Sequence, residues 1–406
     1  MSQANTPSRP RSPSGVSPSA VDVPQTLLGG LSATQFMRRY WQKKPLLVRQ
    51  AVPGFQPLLS RAELFALAQR DDVESRLVVQ TRFQAAATPG GRKRRGAADP
   101  GWTLGHGPFA KNAFPAQSQA GWTLLVQGVD LHHDGVHALM NRFRFVPDAR
   151  LDDLMISWAS EQGGVGPHFD SYDVFLLQAA GRRRWRIGRQ KDPALQPDVP
   201  LKILTNFEPE EEHVLEPGDM LYLPPGWAHD GIAEDTGCMT YSIGFRVPQR
   251  AALAGELLLR MTDVYEDDTL YRDAAQPATT TPAAIPATLQ AFAREALERM
   301  LSERDALASA LGEVMTEPKP KVWFEECEMP WRPGVAVQLD RRTRMMYDDR
   351  HVYINGDSFR AGGADARLMR QLADGRALSA AQVAKASAQA QELMAEWLCA
   401  GWLHQA

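Results

Sequence analysis

Hydrophobic and polar positions divide this chain into stretches of different period. Residues 1–25 carry Ser, Pro and Ala with no periodicity, which predicts a disordered tail. Pattern begins at Leu31-Ser32-Ala33-Thr34-Gln35-Phe36, where Ser32 is placed to cap a helix running through Tyr40. Lys44–Arg49 reads as a short strand and residues 61–70 as a further helix. From Leu151 to about Val247 the pattern turns to β structure. The runs Leu154–Trp158, Val174–Gln178, Arg184–Ile187, Met220–Leu223 and Thr240–Phe245 are short and separated by turn residues, which predicts an antiparallel barrel or sandwich. Glu216-Pro217-Gly218-Asp219 precedes one of these strands and Pro224-Pro225-Gly226 follows it. A hairpin is expected there, delivering His229 to the mouth of the barrel.

After Pro248 the period becomes helical. Residues 251–265 and 287–311 are rich in Ala, Leu, Glu and Arg, and the Pro- and Thr-containing interval 273–286 is a loop. These helices either pack on a second copy of the chain or pack internally; the pattern leaves both open. From Lys319 on, the runs Val335–Leu339 and Arg350–Ile354 read as strands, with a turn at Asn355-Gly356-Asp357. Helices are expected at 364–374 and 379–399, giving a winged-helix-like α+β unit. The expected organisation is a tail at 1–25, a β domain at 26–250, a helical linker at 251–315 and a winged-helix-like domain at 316–406.

The 406 residues suffice for two or three domains, and 44% hydrophobic with 23% charged content is that of a soluble globular protein. A net charge of −3 gives no electrostatic footprint for nucleic acid. From Thr316 onward 12 basic side chains balance 12 acidic ones, so the C-terminal domain reads as a structural or protein-contact unit rather than a DNA reader. The low-complexity piece 85–100 contains Arg92-Lys93-Arg94-Arg95. A solvated insertion is the favoured reading over a basic finger on RNA phosphates. Cys238, Cys327 and Cys399 are far apart and form neither a disulfide framework nor a zinc spacing, which fits a reducing cytoplasm. No apolar run approaches membrane length, and the N-terminus lacks the apolar core of a signal peptide.

The candidate chemistry lies in the β region. In Gly166-Pro167-His168-Phe169-Asp170, strand alternation puts His168 and Asp170 on one side. His229 follows 59 residues after Asp170, far enough to arrive from another strand. Two imidazoles and one carboxylate can occupy one face of an octahedral metal and leave three positions open, as in non-haem Fe(II) oxygenases. In Arg182-Arg183-Arg184-Trp185-Arg186-Ile187, the apolar face is shared by Arg183, Trp185 and Ile187, so Arg183 is the arginine expected to point inward. A buried guanidinium needs an anion: either an internal carboxylate or a dicarboxylate cosubstrate.

The stretch Gly163–Gln178, then Gly181–Trp185, Leu215–His229 and Tyr241–Arg246, resembles the JmjC-type 2-oxoglutarate oxygenases. Within them it is most similar to bacterial ribosomal oxygenases, which hydroxylate an arginine of the large-subunit ribosomal protein numbered sixteen. The resemblance covers roughly residues 25–250. It implies a mixed fold: a double-stranded β-helix (cupin/JmjC jelly-roll) catalytic domain, a helical dimerisation segment and a winged-helix-like end. It implies Fe(II) on His168, Asp170 and His229, with 2-oxoglutarate and dioxygen consumed. Arg183, fifteen positions after His168, is implied to hold the distal carboxylate of 2-oxoglutarate, with Ser242 as a second candidate. Glu161, Tyr172 and Asp173 are the candidates for contacting a basic substrate side chain. The expected partners are a large-subunit ribosomal protein and a second copy of the chain, in the cytoplasm, with no membrane and no direct nucleic-acid contact. Rival readings are a ribosomal-protein histidine hydroxylase, a lysyl demethylase, a cupin metalloenzyme that does not use 2-oxoglutarate, and a non-catalytic binding protein.

Overall fold

The structure is a computed structural model, and it describes residues 20–84 and 101–405. The expected tail therefore lies outside the described residues up to residue 19. Residues 20–25 already belong to structure: Ala20–Asp22 form a 3-10 turn, and Pro24 bridges to Ser32. The basic insertion 85–100 also lies outside the described residues.

The N-terminal helices are α1 (Ala33–Arg39), α2 (Arg61–Leu67), α3 (Thr81–Gln84) and α4 (Asp134–Asn141). Ser32 and Ser60 each close a capping box with Gln35 and Glu63, satisfying donors that a helix start leaves orphaned. The strands are β1 (Leu46–Val48), β2 (Ser75–Gln80), β3 (Trp102–His106), β4 (Trp122–Val126), β5 (Leu151–Ala159), β6 (His168–Phe169), β7 (Val174–Ala180), β8 (Arg183–Arg189), β9 (Glu211–Leu215), β10 (Met220–Leu223), β11 (Trp227–Ala233) and β12 (Cys238–Phe245). They form two facing antiparallel sheets, of order β1-β10-β7-β12-β5-β4-β2-β3 and β6-β11-β8-β9. This is the jelly-roll double-stranded β-helix.

Alternation along β12 sorts the large sheet's faces. Tyr241, Ile243 and Phe245 pack outward into a core with α1, α2 and α4, in which Phe36, Phe175 and Tyr222 meet at 4.9–5.4 Å between ring centroids. Thr240, Ser242 and Gly244 face the space between the sheets. One end of that space is filled by Val174, Leu176, Trp185, Ile187, Leu215, Leu221 and Leu223. The other end is left as a cleft.

The expected hairpin around Met220–Leu223 does not form. β10 pairs with β7 and β1 in the large sheet, whereas β11 pairs with β6 and β8 in the small one. Pro224 and Pro225 lack the N–H that cross-strand pairing requires, and Gly226 turns at φ 78°, so the segment crosses between sheets. This crossing carries His229 into the small sheet.

Helices α5 (Arg250–Val264), α6 (Ala287–Ser302) and α7 (Arg304–Thr316) follow. The single helix expected over 287–311 is broken at Glu303, whose ψ of 89° is not helical. Beyond them come β13 (Val337–Leu339), β14 (Met345–Tyr347), β15 (His351–Ile354), β16 (Asp357–Arg360), α8 (Gly363–Gly375), β17 (Ala377–Leu378), α9 (Ala380–Val383), α10 (Ala388–Cys399) and β18 (Leu403–Gln405). The helix expected over 379–399 is two, because Ser387 caps a new start at α10. These elements enclose a separate core around Met369, Leu372, Met394 and Trp397, a winged-helix arrangement. α7 packs on this unit as well as on α5: the Tyr353 hydroxyl donates to Ala308 O at 3.1 Å, and the Tyr353 ring lies over Gly312, where a Cβ would come within 2.3 Å of it.

Candidate metal centre

His168 on β6 and His229 on β11 are directly opposite in register. Their ring centroids are 4.3 Å apart. Asp170, one residue past β6, brings its carboxylate 3.7 Å from His229 Nε2. One ligand atom from each of the three lies within 4.8 Å of the others. Each imidazole is oriented by its own strand: His168 Nδ1 lies 2.9 Å from Gly166 O and His229 Nδ1 lies 3.0 Å from Trp227 O. With Nδ1–H donating to a carbonyl, Nε2 keeps its lone pair free for a metal. Burial, then the neighbouring His168, holds the His229 imidazole well below its ordinary pKa, so it is neutral, the form a metal requires. Gly231, two residues on, is required by packing: a Cβ there would meet the Trp185 ring at 2.6 Å, and that ring lies 5.8 Å from His229.

Arg183 opens β8, with Trp185 and Ile187 inward beside it and Arg184 and Arg186 outward. It is 4% exposed and lines the same cleft as His168, Asp170 and His229, a volume of about 670 Å³. Among the described residues no carboxylate pairs with it. Its Nε donates to Cys238 Sγ at 3.5 Å and its Nη2 is buried without a partner. The internal salt bridge that sequence left open is therefore absent among the described residues. Gln178 braces this corner: its Nε2 is 3.2 Å from Cys238 Sγ, and its Oε1 accepts from Thr240 Oγ1 at 2.9 Å. Ser242 is 8% exposed and faces the cleft from β12. Thr123 on β4, unnoticed in the sequence, also faces it with a buried, unpartnered hydroxyl. Its strand carries no apolar–polar alternation to mark it, because all five residues of β4 are buried.

The substrate candidates separate. Tyr172 lines the cleft and is 39% exposed; burial, then the nearby Asp170 carboxylate, raises its pKa. Glu161 does not reach the cleft. β5 ends at Ala159, and the chain then turns outward through Gln162 at φ 60°, leaving Glu161 exposed. Asp173 is fully buried on the far side, consumed by Tyr222, Gln42 and Arg150. Besides the metal-ligand candidate Asp170, the acids that line the cleft are Glu74, Asp152 and Asp153, none of them singled out in the sequence. Lys319, from the chain after α7, reaches Asp152 at 2.8 Å and Asp153 at 3.8 Å.

The fit to a metal and a dicarboxylate is good. Two imidazoles and one carboxylate converge, and an unpaired guanidinium and an unpartnered hydroxyl face the same space. Comparison with known proteins agrees. Residues 138–253 match the JmjC domain family, and residues 299–404 match the ROXA-like winged helix family. The chain is 34% identical over 341 residues to the ribosomal protein uL16 3-hydroxylase of Escherichia coli, covering 80% of this chain and 85% of that one. A crystal structure of E. coli ycfD superposes with a TM-score of 0.78 at 30% identity, covering 92% of this chain and 98% of that one. Another, described as a ribosomal oxygenase in complex with cobalt and 2-oxoglutarate, gives 0.75 at 29% identity with the same coverage.

Proposed function

The chain belongs to the JmjC-type ribosomal oxygenases, and on that premise we propose that it 3-hydroxylates an arginine of the large-subunit ribosomal protein uL16. It is an Fe(II)- and 2-oxoglutarate-dependent dioxygenase. The observation that carries the reading is Arg183, a buried cation without an acidic partner among the described residues, in the cleft where His168, Asp170 and His229 converge.

His168, Asp170 and His229 would hold the iron through Nε2 of each imidazole and one carboxylate oxygen. Bound Fe(II) supplies the oxidative decarboxylation of 2-oxoglutarate by dioxygen to succinate and carbon dioxide, with one oxygen atom placed on an unactivated C–H bond. Arg183 anchors the distal carboxylate of the cosubstrate by charge-assisted hydrogen bonds, and Ser242 and Thr123 offer hydroxyls beside it. Gln178 and Cys238 fix the guanidinium's approach. Trp185 and the apolar cluster behind it close the inner end of the cleft to water. Lys319 already holds Asp152 and Asp153, so Glu74, without an ion pair among the described residues, is the carboxylate left to meet a cationic side chain, and Tyr172 supplies an aromatic edge beside the metal ligands.

Three further assignments belong to the same reading. Residues 26–250 are the catalytic domain, 251–315 the helical dimerisation segment and 316–406 the winged-helix-like domain. The helices support the second: α5 to α7 share a small core at Met261, Met300 and Ala310, yet expose Leu259 and Val264 at 69% each, with Leu297 and Leu301. Such apolar exposure fits an isologous contact with a second copy. Among the described residues no helix is long and apolar enough to cross a membrane, and a ribosomal-protein substrate supports a cytoplasmic location.

The test is mass spectrometry of uL16 after incubation with enzyme, Fe(II) and 2-oxoglutarate. One oxygen gained on an arginine, and not gained with His229→Ala, is the expected result. Oxygen on a histidine or lysine would replace the substrate assignment; no succinate at all would end the oxygenase reading.

A further inference from the structure

A second cavity, separate in chemistry from the cleft, lies between the β domain and the winged-helix unit. Its volume is about 70 Å³, several times what one water needs. Its walls are rich in cations, and their partners can be accounted for one by one. Arg144 holds Asp148 through two bonds of 2.8 and 2.6 Å. Lys319 holds Asp152. Arg341 pairs with Asp134, and Arg342 with Asp340. Asp130 accepts the Leu154 N–H, and burial followed by Asp153 pushes it up to about 7.

Two arginines remain. The Arg344 guanidinium makes no hydrogen bond or ion pair among the described residues. Among the described residues the Arg376 guanidinium bonds only backbone carbonyls, Asp340 O at 2.7 Å and Thr343 O at 3.1 Å. Burial first, and then a neighbouring arginine, holds each of the two down to about 10. Across the cavity, on α4, His137 Nδ1 is buried without a partner. Two unneutralised guanidiniums and an orphaned ring nitrogen thus converge on a space too small for a nucleotide. Partly buried charge without a carboxylate partner, beside a buried ring nitrogen, offers a counter-ion with several acceptor oxygens a ready site.

We propose that this cavity binds a small phosphate-class dianion, held by Arg344 and Arg376 from the winged-helix side and by His137 Nδ1 from α4. Two negative charges match the two unpaired cations. The anion cross-braces the domains, since its ligands come from both. It also bears on the rim of the catalytic cleft, because Asp152 and Lys319 line both spaces. The inference does not depend on the substrate assignment.

The test is thermal unfolding of the full metal-free chain in inorganic phosphate, with ionic strength held constant by potassium chloride. A saturable rise of about 3 °C is expected at phosphate roughly a hundredfold above its Kd. Arg344→Gln and Arg376→Gln should abolish the rise while retaining 2-oxoglutarate turnover, which shows that they fold. An unsaturable rise, an equal rise in both variants or an equal rise with chloride alone would overturn the site. Should a variant fail to fold, phosphorus NMR of the wild type decides: broadening of the phosphate signal that excess sulfate reverses supports it, and an unbroadened signal ends it. A short RNA that raises the melting point where phosphate does not would overturn the free-ion assignment.

Discussion

The two faces of β8 hold arginines under opposite conditions. Outward, Arg184 pairs with Glu212 and Glu234, and Arg186 with Asp230. Inward, Arg183 has a thiol and an aromatic ring beside it, and no carboxylate among the described residues. Acids were available from the neighbouring strands β9 and β11, yet they serve the outer face alone. A guanidinium left without a protein anion in a buried site costs desolvation. The inner face bears that cost, and an incoming dicarboxylate offsets it. The comparison separates a charge placed for binding from charges placed for solubility and stability.

The largest expected effect falls on the same inner face, at the metal ligands on and beside the neighbouring strands β11 and β6. His229→Ala and Asp170→Ala should each abolish turnover and weaken iron binding, with the fold retained by circular dichroism. Chelation of the metal should act likewise and be reversed by Fe(II). Full activity in both variants would remove the metal assignment and, with it, the reason for the unpaired Arg183.

Next is the contrast within β8 itself. Arg183→Ala should weaken 2-oxoglutarate by roughly 30- to 150-fold, the worth of a charge-assisted pair of about 2–3 kcal/mol. Iron affinity measured without cosubstrate should be nearly unchanged. Arg183→Lys should restore little, since a point charge does not reproduce the planar fork. Arg184→Ala, its immediate neighbour, should leave the 2-oxoglutarate Kd where it was. Equal effects of the two would break the comparison.

Much of this contrast is legible in the sequence because period-two alternation is a local property. It points Arg183 inward beside Trp185 and Ile187, and it puts Tyr241 and Ser242 on opposite faces of β12. Local capping chemistry equally marks the start of α1 at Ser32. What the sequence does not carry is long-range pairing. The Pro224-Pro225-Gly226 segment reads as a hairpin turn, whereas it crosses between sheets, and nothing nearby states which strand β11 will join. Glu161 looks well placed seven residues before His168, but the outward turn after Ala159 removes it. Glu74, Asp152 and Asp153 reach the cleft through β2 and β5, and no local pattern distinguishes them from surface acids. The helix breaks at Glu303 and Ser387 were missed for the opposite reason: Ala- and Glu-rich flanks carry a helical period straight through both.

A smaller effect is expected on the outer face where burial is deepest. Asp230 is 3% exposed, and Arg186 is its hydrogen-bonding partner. Arg186→Ala leaves that carboxylate buried and unpaired, which should cost about 1–3 kcal/mol of stability in urea unfolding. The 2-oxoglutarate Kd should stay unchanged. A shift in Kd without a loss of stability would mean that the two faces are not independent.

The smallest effect tests the outer face at its most solvated point. Arg184 and Glu212 have side chains 43% and 48% exposed, so water screens their attraction and ordering two long side chains opposes it. Arg184→Ala should therefore cost at most about 1 kcal/mol, and raising the salt concentration should shrink that difference further. Glu234, shared by Arg184 and Arg182, keeps one cation when Arg184 is removed, which limits the loss again. A loss as large as that of Arg186→Ala would show that the outer lattice acts as a coupled network rather than as separate pairs. In that case the double variant Arg184→Ala, Arg186→Ala should lose less than the sum of the two single losses, because each would already have disrupted the same lattice.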